Sequence, residues 1–390
     1  MTWPTLTLEN IVKISKGKKH NLVKSVTNNR YIQIDDLRND NLIKFTDDDK
    51  GTFVEPSDVI IAWDGANAGT VGYGLEGLIG STLARLKVII PHIDTNYLGR
   101  FLQSKFKEIR NNCTGATIPH VSKVHLNSLL VPVPPLPIQK QIAAVLEKAD
   151  NLRQQSQQME QELNSLAQSV FLDMFGDPKS NPKRWQKRPL KSILEKLVGG
   201  KSLAAPEQHI DVSEYRVLKI SAVTSGQYNP LESKALPADY IPPKEHLVQV
   251  NDLLISRANT TELVGATTMV FDTPENLLLP DKLWKFQWKE SEPLSQIFMW
   301  KLLSSKAMRH RLSEISSGSG GSMKNISKSK LLELEIIFPD YEKQMEYENF
   351  YLRLRDQMLL NKEYISQAEG QFKSLMQRAF KGEFEIKDLA

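Results

Sequence analysis

Lys13, Lys16, Lys18, Lys19, Lys24 and Arg30 lie along one stretch with no acidic residue between them. Such a loop can neutralise phosphates, which positions a protein on DNA without reading its sequence. An ordinary lysine-rich surface loop has the same composition. Arg257 and Asn259 follow a short apolar run, Leu253-Leu254-Ile255, and these side-chain types make bidentate contacts with guanine and adenine edges. Asn67 follows the matching run, Val59-Ile60-Ile61, in the first half of the chain. A small-residue loop, Ser316-Ser317-Gly318-Ser319-Gly320-Gly321-Ser322, runs into Met323-Lys324-Asn325. Its backbone amides could approach a phosphate, with Ser319 and Lys324 as candidate contacts; a flexible surface loop is the plain alternative. Lys201, behind Gly199-Gly200, completes the candidate set.

Catalytic chemistry fails on spacing. Gly199-Gly200-Lys201-Ser202 resembles the end of a phosphate-binding loop, but Glu195 stands where the first glycine is required. Asn229-Pro230 is followed by Leu231, so the Asn-Pro-Pro-Tyr tetrapeptide of an amino-methylating enzyme is missing. No glycine fingerprint joins a strand to a helix as a nucleotide or methyl-donor site needs. Asp211 with Glu232-Ser233-Lys234 imitates a nuclease carboxylate-lysine set only loosely. The seven histidines show no metal-ligand spacing. The expectation is a binding protein with no catalytic residue, no metal and no cofactor of its own.

The candidate residues need a frame, and the chain states it twice. Ser165-Leu166-Ala167-Gln168-Ser169-Val170-Phe171 returns as Ser374-Leu375-Met376-Gln377-Arg378-Ala379-Phe380. Each copy closes a long amphipathic helix that follows a mixed segment. The boundaries read as a first head over 1–137, a central helix over 138–176, a second head over 177–339, a C-terminal helix over 340–382 and a tail over 383–390. A length of 390 residues suits two or three units. Matching short strands, Arg30 to Leu37 with Tyr215 to Ser221 and Ser57 to Asp64 with Asn251 to Ala258, make the heads mixed α/β. Helical stretches follow at Asn96 to Arg110 and Pro293 to Leu312, and last strands at Leu129 to Val133 and Leu332 to Phe338. No apolar run approaches membrane-spanning length. Met1-Thr2-Trp3-Pro4 does not read as a signal peptide, and a lone Cys113 suits a reducing compartment, so the expected location is cytoplasmic.

The net charge of +4 is unevenly spread. Residues 1–137 carry 16 basic and 13 acidic groups, and 176–339 carry 23 and 18. The helical segments, 138–175 and 340–390, carry 3 against 5 and 8 against 10. Positive charge therefore sits on the heads, a weak pointer to a polyanionic partner.

Ile142, Val145, Ala149, Leu152, Ser156, Met159, Leu163, Leu166 and Val170 alternate three and four apart, a heptad seam with one polar position. Tyr347, Tyr351, Leu354, Met358, Asn361, Ile365, Ala368, Phe372, Leu375 and Ala379 form the second seam, with Asn361 as its polar position. Such helices pair with each other or pack on their own heads. A 38-residue helix is roughly 57 Å long, and a head of this size is roughly 40 Å across. One head cannot easily carry the chain back the full helix length, so the pair should be an antiparallel coiled coil with pseudo-twofold symmetry. The expected register pairs Ser156 with Asn361, Leu163 with Leu354 and Val145 with Phe372.

Val131-Pro132-Val133-Pro134-Pro135-Leu136-Pro137-Ile138-Gln139-Lys140-Gln141-Ile142 leads into the central helix, and Phe171 to Gly176 leads out of it. With Gly115-Ala116-Thr117-Ile118-Pro119-His120 and Asp252-Leu253-Leu254-Ile255-Ser256-Arg257-Ala258-Asn259, these segments resemble the specificity subunit of type I restriction-modification systems. The approach to the second helix, Phe338-Pro339-Asp340-Tyr341-Glu342-Lys343-Gln344, lacks the proline cluster. The resemblance implies two target-recognition domains, each reading one half of a bipartite asymmetric site in double-stranded DNA. It implies helices that dock two methyltransferase subunits, whose S-adenosylmethionine serves adenine N6 methylation, and translocating helicase-nuclease subunits in a full restriction complex. The base contacts do not follow from it. A stand-alone DNA-binding regulator is the rival reading.

Overall fold

The run Val59-Ile60-Ile61-Ala62 is apolar without alternation, which suits a strand covered on both faces. It lies in the strand Asp58–Ala62, every residue of which is buried. The computed structural model describes residues 3–26, 29–39, 41–115, 117–201, 212–237, 240–318 and 323–383. In the first head, Asp58–Ala62 belongs to an antiparallel sheet in the spatial order Val12–Lys16, Leu83–Val88, Asp58–Ala62, Val71–Tyr73. A second sheet orders Phe45–Thr46, Asn29–Ile32, Gly77–Ile79 and Phe53–Val54. Thr5–Thr7 pairs with Leu130–Pro132 where the chain leaves for the central helix.

The second head repeats this plan. Its first sheet orders Leu194–Gly199, Leu283–Trp288, Leu253–Ser256 and Thr267–Met269. Ser233–Pro237, Val212–Leu218 and Leu277–Leu278 form its second sheet, and Lys187–Pro189 pairs with Glu335–Ile337. Three expected elements are broken. Each helical stretch is a pair: Thr95–Ser104 with Phe106–Asn111, and Gln296–Ser304 with Lys306–Glu314. At the second break, the Ser305 hydroxyl caps the next helix by accepting from the Met308 amide. The strand expected from Arg30 to Leu37 ends at Ile32 and gives way to a 3-10 turn, Ile34–Leu37. There the Asp36 carboxylate accepts the Gln33 amide at 2.6 Å.

The chain divides into two compact units, residues 1–159 with 361–390 and residues 160–360. Each unit holds one head and part of each long helix, Leu136–Phe175 and Tyr341–Lys381. The unit boundaries therefore cut across the helices. No helix among the described residues is long and apolar enough to cross a membrane.

A glutamine fixes each helix to its head. Gln139 is fully buried. Its amide nitrogen donates to the carbonyls of Pro134 and His92, and its oxygen accepts the Asp94 amide. Asp94 in turn caps the helix Thr95–Ser104. Gln344 does the same work in the second unit, donating to the Pro339 carbonyl and accepting the amide of Ser295, the cap of Gln296–Ser304. The same motif survives the loss of the prolines.

Within the first unit the helices run antiparallel. Ile142 and Leu146 share a cluster with Leu375 and Ala379, Arg153 stacks on Phe372, and the Asn361 side chain donates to the Ser156 carbonyl at 2.9 Å. In the second unit Phe171 and Phe175 meet Tyr347 edge-on, and the Tyr347 hydroxyl donates to the Ala167 carbonyl. The expected seam holds throughout the C-terminal helix, whose ten positions are all buried or half-buried. On the central helix it needs correction: Leu152, Met159 and Leu166 are 41%, 47% and 44% exposed. At two of these three positions the next residue takes the place, while Glu160 after Met159 is exposed as well. Arg153 turns inward because Asp150 holds its guanidinium, and Ala167 because only a small residue lets Tyr347 reach the backbone.

The two heads bury different cations against these helices. Arg100 pairs with Asp150 at 2.7 Å, both nearly sequestered. Burial pushes the Asp150 carboxyl up, but hydrogen bonds from Arg100 and Arg153 more than reverse this, leaving it below its ordinary value. The matching residue after the cap Ser295 is Lys301. It has no carboxylate within 4.0 Å among the described residues and lies over the rings of Trp300 and Tyr351 at 3.9 and 4.2 Å. Arg355 occupies the helix position that corresponds to Asp150, counting from Gln344 rather than Gln139.

Replacing Gln139 or Gln344 by Leu strands several buried backbone groups. Each change should lower stability by about 2–4 kcal/mol, read from urea unfolding. Burial holds the Lys301 pKa at about 8, below its ordinary 10.5. The folded chain therefore binds fewer protons than the unfolded chain between these values, and stability rises with pH across that window. Lys301→Met should stabilise the protein by about 2 kcal/mol at pH 7, with the gain fading towards pH 10.

Candidate nucleic-acid interface

The strands Val12–Lys16 and Leu194–Gly199 are each followed at once by Gly-Lys, Gly17-Lys18 and Gly200-Lys201. A Cβ on Gly17 would run into the carbonyl of Gly80, and one on Gly200 into that of Leu279. Only glycine permits that approach, and it sends Lys18 and Lys201 out as exposed side chains at matching points. Lys19 is exposed as well, whereas the next residue, His20, is buried. The His20 imidazole lies 3.0 Å from the Asp48 carboxylate, and its backbone amide donates to the Tyr31 hydroxyl. Hydrogen bonds from the Asn21 amide and from His20 hold the Asp48 carboxyl below its ordinary value. The two lysines thus project from a loop pinned at both ends.

Beside this loop the strand Asp58–Ala62 runs out into Trp63 and Asp64. Lys16 lies over the Trp63 ring at 5.5 Å and 3.3 Å from the Asp64 carboxylate. Gly115 stands at φ +92°, Thr114 bridges to His120, and the His120 ring lies 2.6 Å from the Asp64 carboxylate. Arg110 donates to the Gly65 carbonyl.

The second head has the same layout with other residues. Ala258–Asn259 pairs with Lys324–Asn325, so Asn259 and Lys324 face each other in register. Ser317 bridges to Asn325, and Gly318 next to it stands at φ +156°. The Arg257 side chain donates to the Asp281 carbonyl at 2.8 Å and lies over Trp284 at 5.4 Å. Lys328 lies over the same ring, and Gly199, just ahead of Lys201, pairs with Trp284. The structure therefore gathers Lys201, Arg257, Asn259 and Lys324 at one end of the second head, and Lys16, Lys18 and Lys19 at the equivalent end of the first.

Other candidates are placed differently. Arg30 sits on a strand of the second sheet, 3.7 Å from the buried Asp36. Asn67 accepts a hydrogen bond from Arg38 at 2.8 Å. Ser319 lies outside the described residues, as does Asp211. Asp64, His120, Arg110 and Lys328 belong to the clusters but were not among the residues expected from sequence. The parallel between Gly115 and Gly318, each opening a small-residue loop, was the available signal. Among the described residues, no group of three His, Cys, Asp or Glu could hold a metal ion.

A family model described as the type I restriction modification DNA specificity domain matches residues 1–165 and 182–369. The chain belongs to this family. It is 25% identical over 402 aligned residues to the specificity subunit of the type I restriction enzyme MjaVIII of Methanocaldococcus jannaschii, covering 99% of this chain and 94% of that one. It is also 25% identical to the EcoKI specificity subunit of Escherichia coli K12, over 75% of this chain and 66% of that one. The fold matches the crystal structure of an S subunit from M. genitalium with a TM-score of 0.64 at 14% identity, over 97% of this chain and 96% of that one.

In a DNA specificity family, exposed lysines at the clustered loops should contact phosphate. Lys18→Gln or Lys201→Gln should each reduce the slope of log binding constant against log salt by about 0.9, with sequence preference unchanged. Salt titration of the DNA complex reads this directly.

Proposed function

We propose that the protein is the specificity subunit of a type I restriction-modification complex, reading a bipartite asymmetric site in double-stranded DNA. One observation carries the reading. The two heads share a topology and present equivalent loop clusters, yet the residues on those loops differ, with Asp64 and His120 in one set where Ala258 and Asn325 stand in the other. Equal frames with unequal side chains suit two half-sites of different sequence.

The long helices support the docking of methyltransferase subunits. In the first unit Leu152, Met159 and Tyr364 are exposed, and in the second Leu166, Leu172, Leu359 and Leu360. Exposed apolar side chains along these helices favour a partner surface there. Two copies of the methyltransferase would bind the two similar helix segments, supplying S-adenosylmethionine and adenine N6 methylation; this chain supplies the address. Helicase-nuclease subunits would join the same assembly for restriction.

Co-expression with the cognate methyltransferase, followed by genome-wide mapping of methylated adenines, tests the reading. The expected result is one motif of two short specified halves with an unread gap. Absence of a bipartite motif, together with specific DNA binding by the purified chain alone, would mark a stand-alone regulator instead.

A further inference from the structure

We propose that Asp64 is a specificity-determining residue of the first head, accepting a hydrogen bond from the exocyclic amino group of one adenine or cytosine. The proposal rests on the specificity-subunit reading and assigns a residue within it.

Asp64 stands where the loops of the candidate interface converge. Its two carboxylate oxygens are already engaged separately, one with His120 at 2.6 Å and the other with Lys16 at 3.3 Å. The flanking side chains are about half exposed, at 52% for Lys16 and 48% for His120, while Asp64 is only 20% exposed between them. Because the Lys16 and His120 ends of these contacts are half exposed, the cluster contributes little to stability, so holding the fold is a poor account of it.

The arrangement suits base reading for two reasons. A bare carboxylate beside DNA is repelled by phosphate, and here the Lys16 ammonium offsets its charge while the His120 ring occupies its other oxygen. Both flanking groups have solvent on their outer sides, and both can turn to phosphate as the base arrives. The carboxylate is also held in place. The Asp64 amide donates to the Thr82 carbonyl, the Gly65 amide to that of Pro119, and His120 and Thr114 exchange both backbone hydrogen bonds.

An ionised carboxylate only accepts hydrogen bonds. Adenine N6 and cytosine N4 donate in the major groove, whereas guanine O6 and thymine O4 present lone pairs. Asp64 therefore selects an amino-bearing base and rejects a carbonyl-bearing one. The equivalent position in the second head is Ala258, bridged to Asn325, which offers no carboxylate. The two heads differ in chemistry at the same place in the fold.

The test compares methylated-adenine maps for the wild-type chain and Asp64→Asn, each co-expressed with the methyltransferase. Asparagine both donates and accepts, so one position in one half-site should relax from adenine or cytosine to mixed bases. The preference there should fall roughly tenfold to a hundredfold, with the other half-site unchanged as an internal check on folding. If Asp64→Asn abolishes methylation, selection of the assembled complex on a randomised duplex pool gives the same profile under the same criteria. A half-site unchanged at every position, or both half-sites degraded alike, overturns the proposal. A wild-type map without a bipartite motif instead removes the functional reading on which it rests.

Discussion

Everything outside the heads hangs on one buried glutamine at the foot of each long helix. Gln139 and Gln344 have no exposed surface, and each links the first turn of its helix to the residue that caps a helix of the adjoining head. A buried amide is costly unless its hydrogen bonds are made, so this position tolerates one orientation of helix against head. A loop alone would leave that angle soft. The aromatic contacts of Phe171 with Phe298 and of Phe380 with Tyr97 and Phe101 then pack against an angle already set.

The paired helices were legible in the sequence because apolar periodicity reports the buried face of a helix directly. It served fully for the C-terminal helix and only in part for the central one. Leu152, Met159 and Leu166 outrank Arg153 and Ala167 in hydrophobicity, yet the latter two face inward. Periodicity cannot see that Asp150 makes an arginine welcome inside, nor that a tyrosine hydroxyl needs an alanine to approach the chain. The polar pair Ser156 and Asn361 was readable because a lone polar residue interrupts an apolar seam, and its bond runs to a backbone carbonyl rather than to the serine hydroxyl.

At the candidate interface, residue type alone picked out the lysines, Arg257 and Asn259, and the fold gathers most of them at matching ends of the two heads. What sequence reasoning could not supply was depth. Arg30 and Lys18 look alike in a basic stretch, but one pairs with a buried aspartate and the other reaches solvent. Asp64 carries no signal of its own, because an acidic residue reads as hostile to nucleic acid until Lys16 and His120 are in view beside it. Those neighbours come from 48 and 56 residues away in sequence, a separation no local pattern spans.

The unequal buried cations bear on how such chains can be rebuilt. Arg100 is matched to Asp150 on the helix beneath it, whereas Lys301 belongs to a unit whose corresponding helix position is Arg355. Moving the second head onto the first helix platform would bring an ammonium to a waiting carboxylate. The reverse graft would set one guanidinium against another in a place that water reaches poorly. Exchange of recognition modules between the two positions is therefore directional, permitted one way and penalised the other by a charge held between head and helix.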